Sequence, residues 1–412
     1  MVEADTVVHS IGQLVTGEPS QGEGPLGVLE RAAVAARGGQ IVWIGPSSRW
    51  ADRLRLSPEA TVIDAAGCCV TPGFVDAHVH LLWAGSQADE YRARLLGQPS
   101  WGGGIMRTVM RTRQADEEEL LRLGRKRLRS YLKHGVTALE ARSGFGLDLE
   151  TEERLLRVAA RLGQETPQRL VSTFSGAHVV PEGVPVAEYL QELVEGMIPR
   201  FRPLATFCAA WCDPGAFTSA QCRRILNKAR GLGYQVKVHA SQLAPGDGPG
   251  LAVELGAAAI EHLEYLRDDD ALRLAGSSVV CVLCPGTTVN LRLAGEGTAR
   301  ALAAAGCQLA IATDYHPSTC CSENMCLMIG IACQELGLTP EEAIRAATLG
   351  GARALRLHRQ HGSIRLGKRC DLLLLDAESY LEIPYRLGVN LVRTTICQGR
   401  PAHGWPPDPG TG

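Results

Sequence analysis

From residue 70 onwards, apolar runs of strand length alternate with polar, Arg- and Glu-rich stretches that have helical spacing. Continuous apolar runs are typical of parallel strands buried on both faces, and apolar residues every three or four positions indicate amphipathic helices. The pattern predicts eight strands, at Gly73–His80, Val136–Arg142, Leu170–Phe174, Ala205–Trp211, Gln235–His239, Ala258–His262, Val279–Leu283 and Gln308–Thr313. It predicts helices at Asp116–His134, Leu149–Leu162, Ala187–Ile198, Ser219–Leu232, Pro249–Leu255 and Pro340–Leu357.

Eight strands that alternate with helices predict a (β/α)8 TIM barrel over residues 70–361. An open doubly wound sheet is the alternative, but the strand number and the lack of a GxGxxG turn favour the barrel. On both sides of the barrel the pattern changes to short strands and turns, as at Gly39–Pro46, where a Gly-Pro pair ends a strand. We therefore expect residues 1–69 and 362–412 to form one small β-sandwich domain together.

Composition narrows the class of protein. The 412 residues are 45% hydrophobic and carry a net charge of -2, which predicts a large core and excludes global disorder. Basic and acidic residues balance at 42 and 44 without a basic stripe, so nucleic acid is not an expected partner. No apolar run reaches membrane-spanning length, and the acidic start lacks signal-peptide features. We expect a cytoplasmic protein whose 14 cysteines are reduced.

Histidines recur where the predicted strands end. The pair His78 and His80 closes the first strand, and residues two apart on a strand point to the same face. Barrel active sites form at this C-terminal end of the strands. The side chains that converge there are His78, His80, His178, His239, His262 and Asp314. Imidazoles with one carboxylate are suited to zinc or iron(II).

A divalent ion with an open position lowers the pKa of a water molecule towards neutrality and produces a hydroxide nucleophile. That nucleophile is suited to attack on an amide, ring-amide or amidine carbon. The reaction also needs a base near the water and a proton donor for the leaving nitrogen. His262 and Asp314 are the candidates for these two roles.

Several segments resemble known sequences. Pro72–His80 is similar to the opening signature of the amidohydrolase superfamily, and Gly362–Asp376 to its closing segment. Within that superfamily the chain resembles the imidazolonepropionase family, most specifically at Ser143–Glu152 and Pro384–Asn390. The resemblance implies hydrolysis of a small molecule, 4-imidazolone-5-propionate, to N-formimidoyl-L-glutamate in histidine degradation. It also implies a homodimer.

The resemblance implies one divalent metal, zinc or iron, and a role for each matching residue. His262 would help to activate the water, and Asp314 would pass a proton to the leaving nitrogen. His178 and Gln242 would contact the substrate. The implied metal ligands are His78, His80, His239 and Asp314.

The chain departs from the family at positions that would bind the substrate's carboxylate. Gln87 replaces an arginine, Phe145 replaces a tyrosine, and the loop between Leu96 and Trp101 is shortened and holds no tyrosine. Arginine and tyrosine are suited to holding a carboxylate, because charge-assisted hydrogen bonds bind anions best.

The loop after Asp314 also differs, because His316 and Ser318 stand where the family has asparagine and glycine. We therefore count Gln87, Phe145, His316, Ser318 and Thr319 among the substrate-binding positions, and the residues that could compensate for the lost arginine are Arg92, Arg94, Arg107, Arg142 and His316. Two other functions stay open. One is action on a different ring amide or deamination of a heterocycle, and the other is a non-catalytic protein that keeps the fold.

Overall fold

The computed structural model describes residues 1–97 and 104–404. The strands are β1 Val2–Val15, β2 Val28–Arg37, β3 Gln40–Pro46, β4 Leu54–Asp64, β5 Cys69–Pro72, β6 Phe74–Asp76, β7 Val136–Arg142, β8 Arg169–Ala177, β9 Phe207–Cys212, β10 Gln235–Ala240, β11 Ala259–His262, β12 Val280–Leu283, β13 Gln308–Ile311, β14 Leu372–Leu375, β15 Val392–Cys397 and β16 Arg400–His403. The helices are Trp50–Arg53, Ala88–Leu95, Gly104–Gln114, Glu117–Lys133, Leu149–Glu165, Val186–Gln191, Ile198–Phe201, Ser219–Gly231, Gly248–Leu255, Asp270–Ala275, Pro285–Leu291, Glu296–Ala304, Met325–Gln334, Pro340–Arg345, Gly351–Ala354 and Glu382–Tyr385.

Strands β6 to β13 form an eight-stranded sheet in chain order, and every pair in it is parallel. The two ends of this sheet meet, because Val79 bridges to Tyr315 just beyond β6 and β13. At the same seam the backbone N–H and the hydroxyl of Thr313 donate to the Asp76 carboxylate at 3.1 and 2.6 Å. The predicted (β/α)8 barrel is therefore confirmed, and each predicted strand overlaps one of the eight.

The long helices begin at capping side chains that the sequence supplies. Asp116 accepts from the N–H of Glu119 at 2.8 Å, and Asp148 accepts from that of Thr151 at 2.7 Å. Each such cap is worth about 1 kcal/mol, because it satisfies an N–H that has no partner within the helix. Because of these caps, the predicted and observed starts of the helices 117–133 and 149–165 agree within one residue.

The predicted helix Pro340–Leu357 is confirmed up to Ala354, but it contains a π-helical turn. The α-helix ends at Arg345, a π-helical turn follows over Ala346–Gly350, and a second short helix covers Gly351–Ala354. Two glycines at the end of the π-helical turn lie directly against the barrel. A Cβ on Gly350 would lie 2.0 Å from the Leu309 carbonyl oxygen, and one on Gly351 would lie 2.1 Å from that of Val75. The backbone thus approaches the barrel strands too closely for a side chain.

The second sheet joins the two ends of the chain. Its strand order is β16-β15-β14-β5-β1-β2-β3, and β4 pairs with β1. Strand β14 pairs with β5, so that Leu372 lies opposite Pro72. This sheet encloses a separate hydrophobic cluster that includes Ile11, Val34 and Leu374. The expected β-sandwich built from both chain ends is confirmed, while the boundaries at residues 69/70 and 361/362 stay a prediction.

Two absences are observed within the described residues. The 14 cysteines form no disulfide. No described helix combines the length and the apolarity that crossing a membrane requires.

Candidate metal centre and active site

Five histidine rings meet at the C-terminal ends of the barrel strands. The His78 ring is central, with centroid distances of 5.5 Å to His80, 5.7 Å to His239 and 5.2 Å to His262. His178 is next to this group, 5.3 Å from the His80 ring. The structure therefore brings together the histidines that were predicted from strand ends.

The backbone is strained where these strands end. His262, Leu263 and Asp314 have φ angles of 81°, 68° and 46°, a region that side-chain-bearing residues rarely adopt. Such strain clusters at functional sites and persists only when the surroundings enforce it. The first strand also differs from its prediction, because its paired part ends at Asp76. His78 and His80 therefore stand on extended chain beyond β6.

Hydrogen bonds orient the Asp314 carboxylate within the cluster. Its Oδ2 accepts the hydroxyl of Thr287 at 2.6 Å and that of Thr319 at 2.8 Å. Its Oδ1 lies 3.4 Å from His78 Nε2 and 4.0 Å from His80 Nε2. Burial raises the pKa of Asp314, and this effect exceeds the opposite effects of His262 and Thr287. One oxygen is thus anchored while the other faces the imidazoles.

The residues fit a divalent ion. The four ligands predicted by resemblance belong, together with His262, to two overlapping groups, which are His78 with His80 and Asp314, and His78 with His239 and His262. Within each group the ligand atoms lie within 4.8 Å of one another. Burial lowers the pKa of His78, His80 and His239, so these imidazoles are neutral, as metal ligands must be.

Buried nitrogen atoms at the same place support this fit. Nδ1 of His80 and both ring nitrogens of His262 are buried and have no hydrogen-bond partner among the described residues. A buried polar atom without a partner is costly in free energy. An ion or a water molecule at the centre of the cluster would remove that cost.

His262 has an acidic neighbour. Nδ1 of His262 lies 3.5 Å from Oε1 of Glu264, which also accepts the Thr288 hydroxyl at 3.0 Å. Burial acts to lower the pKa of His262, but the carboxylates of Glu264 and Asp314 outweigh it, and the pKa is raised. His262 can therefore take up a proton more easily than the histidines around it.

Four buried charges lie beneath the histidines. Lys237 Nζ donates to Glu140 at 2.8 Å, to Glu261 at 3.1 Å and to the Ala77 carbonyl at 2.7 Å. Arg142 Nη1 donates to Glu261 at 2.7 Å and lies 2.8 Å from Nε2 of His78. All four side chains are almost fully buried. Their charges balance, and the lysine ammonium is occupied by three acceptors.

A cavity of about 310 Å³ opens beside the histidine cluster, and it is lined by His80, Ile105, His178, Val179, Trp211, Pro214, Gly215, His239, Gln242, Leu243, Leu291, Asp314, His316, Ser318 and Thr319. Gln242 Oε1 lies 2.8 Å from His239 Nε2. Asp213 fixes this wall, because it accepts the backbone N–H of Gln242 at 3.1 Å and the indole N–H of Trp211 at 3.0 Å.

The positions at which this chain differs from the family fall into two groups, those that line the cavity and those that do not. His316, Ser318 and Thr319 line the cavity, whereas Gln87 does not. The buried Gln87 amide donates to Thr108 Oγ1 at 2.5 Å and to the Gly104 carbonyl at 3.1 Å. Its substrate-binding role is therefore not supported by its contacts. The shortened loop after Leu96 lies largely outside the described residues.

Phe145 lies behind the cavity wall, and its ring is 5.3 Å from His80 and 5.2 Å from His316. Glu152 builds the turn that carries it. The Glu152 carboxylate accepts the backbone N–H groups of Gly144, Gly146 and Leu147 at distances from 2.7 to 3.1 Å. The motif Ser143–Glu152 is thus a structural unit that presses an apolar ring against two imidazoles.

Comparison with known proteins identifies the family. The model of the amidohydrolase family matches residues 69–402. Imidazolonepropionase of Alkaliphilus oremlandii is 39% identical to this chain, covering 96% of it and 97% of the relative. Imidazolonepropionase of Mycolicibacterium smegmatis is 41% identical, covering 95% and 96%. The chain belongs to the imidazolonepropionase family.

Solved structures of other amidohydrolases share the fold. An adenosine deaminase from Xanthomonas campestris with bound zinc superposes with a TM-score of 0.72 at 21% identity, covering 97% of this chain and 93% of that protein. Guanine deaminase of E. coli gives 0.72 at 16% identity, covering 97% and 99%. At these identities the likeness shows the architecture alone.

Sequence reasoning missed several residues of this imidazolonepropionase-family site. Thr287, Glu261, Glu264, Trp211 and Asp213 contact the cluster or its cavity wall but were not singled out. Glu261 and Glu264 flank His262 in the chain, and an acidic residue next to a strand-end histidine is a signal that could have pointed to them. Thr287 carried no such signal, because it lies at the start of a helix after β12.

Proposed function

We propose that this chain uses a divalent metal to hydrolyse the ring amide of 4-imidazolone-5-propionate to N-formimidoyl-L-glutamate. The observation that carries the proposal is the Asp314 carboxylate, anchored through Oδ2 and facing His78 and His80 through Oδ1. The family membership supports the substrate. The net change adds one water across the bond between the carbonyl carbon and the ring nitrogen.

The proposed ligands are His78, His80, His239 and Asp314, with zinc or iron as the ion. Neutral imidazoles and one carboxylate are donors that both metals accept. When bound, the ion supplies a water of lowered pKa and polarises the substrate carbonyl. Lys237 has no role as a ligand in this proposal, because its ammonium donates to Glu140, Glu261 and the Ala77 carbonyl.

His262 and Asp314 move the protons. The raised pKa of His262 makes its imidazole a good acceptor for the proton of the attacking water, with Glu264 stabilising the imidazolium. Asp314 accepts the second proton of the same water at Oδ1 and passes it to the ring nitrogen as the C–N bond breaks, and His262 releases the first proton to solvent, so that the product carries a carboxylate. Thr287 and Thr319 hold Oδ2 throughout, so Oδ1 keeps its direction.

The substrate occupies the 310 Å³ cavity in this proposal. His178 and Gln242 contact the imidazolone ring from two sides of the wall. Trp211 packs against both His178 and His239, with centroid distances of 5.0 and 4.9 Å. This packing holds the two imidazoles in place and excludes water from one side of the ring.

The cellular setting follows from the same proposal. Hydrolysis of imidazolone propionate places the enzyme in histidine degradation, and we infer a cytoplasmic homodimer.

The test is an assay of the purified, metal-loaded protein with imidazolone propionate, followed by detection of formimidoyl glutamate. Asp314→Asn is expected to lower kcat by about 100- to 10,000-fold, because it removes the proton carrier. Asp376→Asn, at an exposed position in the sandwich, is the matched control and keeps wild-type activity. A wild-type protein that leaves imidazolone propionate unchanged contradicts the proposed substrate.

One observation favours a second candidate. No Lys or Arg is among the described residues that line the cavity. A heterocycle without an acidic arm would suit such a wall, and the reaction would then be ring opening of another amide or a deamination. Ammonia release from a panel of aminated heterocycles, without activity on imidazolone propionate, would establish this alternative.

A further inference from the structure

Three of the arginines that could replace the lost carboxylate contact are engaged elsewhere, and the fourth, Arg92, is exposed and does not line the cavity. Arg107 donates to Asp89 at 2.6 Å on the surface, and Arg142 is bound to Glu261 beneath the histidines. Arg94 donates to the backbone carbonyl of Ser318 at 2.8 Å and does not line the cavity. Residues 98–103, outside the described part, contain no Lys or Arg in their sequence. None of these arginines is therefore available to bind the carboxylate of the substrate's acidic arm.

His316 lines the cavity, and its tautomer is determined by Ser318. The backbone N–H of Ser318 donates to Nδ1 of His316 at 3.1 Å, and the Ser318 hydroxyl lies 3.0 Å from the same nitrogen. A ring nitrogen that accepts a hydrogen bond carries no proton, so the proton is on Nε2. Within the described part of the chain, both hydrogen-bond contacts of the His316 ring are made at Nδ1, which leaves Nε2 free to donate. It is a fixed donor beside the substrate cavity.

His316 lies next to a proposed metal ligand and close to a second cavity. One edge of its ring meets His80 at a centroid distance of 4.8 Å. Ser318, which anchors the ring, lines both this cavity and a neighbouring apolar cavity of about 420 Å³. His316 thus lies between the metal-binding histidines and a residue that lines both cavities.

We propose that Nε2–H of His316 binds the carboxylate of the substrate's acidic arm, and that Ser318 is the positioning residue that keeps this tautomer. The proposal rests on the proposed function, since it assumes a substrate with an acidic arm. The neutral imidazole of His316 would replace the charged guanidinium of the family's arginine. Recognition of the carboxylate would then depend on a directed hydrogen bond more than on long-range charge attraction. This arrangement discriminates an acid from its amide by one charged hydrogen bond.

The test compares imidazolone propionate with its propionamide analogue, which keeps the ring and the arm but has no negative charge. His316→Phe retains an aromatic ring of similar size and removes the donor. We expect KM for the acid to rise by about 10- to 100-fold, as for the loss of one hydrogen bond to a charged group, with kcat nearly unchanged. KM for the amide is expected to change less than 3-fold.

His316→Gln keeps an N–H donor and is expected to restore most of the acid preference, and His358→Phe is the matched control at a position outside the cavity. The ring ¹⁵N shifts of His316 in the wild type are expected to show a proton on Nε2 and none on Nδ1.

The outcomes separate the two proposals. If wild type does not open imidazolone propionate, the proposed function fails. If wild type is active and His316→Phe raises KM equally for acid and amide, or lowers kcat alone, His316 acts on the ring and this inference is overturned.

Discussion

Thr287 donates its hydroxyl to Asp314 at 2.6 Å, and the next residue, Thr288, donates to Glu264 at 3.0 Å. Two adjacent hydroxyls at the start of one helix therefore hold two carboxylates, of which one faces His78 and the other faces His262. Thr287 orients the proposed proton carrier, whereas Thr288 orients the partner of His262.

Thr287→Val is expected to lower kcat/KM by about 10- to 100-fold, because Asp314 loses one hydrogen bond to its charged form. Steady-state kinetics with imidazolone propionate measure this change, and urea unfolding checks that the free energy of unfolding falls by no more than about 3 kcal/mol. Thr288→Val is the matched comparison and is expected to have a smaller effect. Equal losses for the two variants would contradict a special role for the contact with Asp314.

Glu264→Gln is expected to shift the pH dependence of the reaction. Burial lowers the pKa of His262, and the Glu264 carboxylate is the first of the charges that raise it. Without that charge the pKa of His262 falls, so the imidazole remains free to accept a proton at lower pH. The acidic limb of the kcat/KM profile should therefore move to lower pH. An unchanged limb would mean that His262 is not the titrating base.

Lys237→Met is expected to destabilise the barrel. It leaves Glu140 and Glu261 with Arg142 as their remaining cation in a fully buried place, and removing one partner of a buried ion pair costs about 3–5 kcal/mol. Denaturant unfolding measures the loss. Lys228→Met is the control, because Lys228 pairs with Glu195 on the surface and such a pair is worth less than about 1 kcal/mol.

Removal of the metal by a chelator is expected to abolish activity and to lower the thermal midpoint. A ligand that binds only the folded state stabilises it in proportion to the logarithm of its concentration over Kd, so the apoprotein loses that contribution. Calorimetry before and after dialysis measures the shift, and re-addition of zinc or iron in parallel samples shows which ion restores turnover. Full activity with less than a tenth of a metal per chain would contradict the proposed chemistry.

The sequence was sufficient to predict features that depend on individual strands and helices. The barrel followed from eight apolar runs, and the histidines followed from their positions at strand ends, because strand direction alone places those side chains at one mouth. Contacts between distant segments were not predictable. That Gln87 would bind Thr108, and so stay out of the cavity, depends on how the residue before one helix packs against a second helix.

Similarity to a family also has a limit here. It implied ligands and a substrate, but the buried pairing of Lys237 and Arg142 with two glutamates involves residues from three strands of the barrel. The sequence of one strand shows only that a charged residue interrupts an apolar run. It does not show which residue neutralises that charge. The partner that neutralises it becomes visible once neighbouring strands are aligned in the sheet.

The pairing of β5 with β14 determines which sheet can be completed first while the protein is being synthesised. Leu372 must lie opposite Pro72 before the sheet that both chain ends share is complete. While the chain is still on the ribosome, β1 to β5 can pair with one another, but one edge of β5 has no partner until almost the whole polypeptide has emerged. The eight barrel strands between them can assemble in the meantime, since each finds its neighbour next in the chain. The open edge of β5 is therefore a site where another chain could add until the last segment arrives.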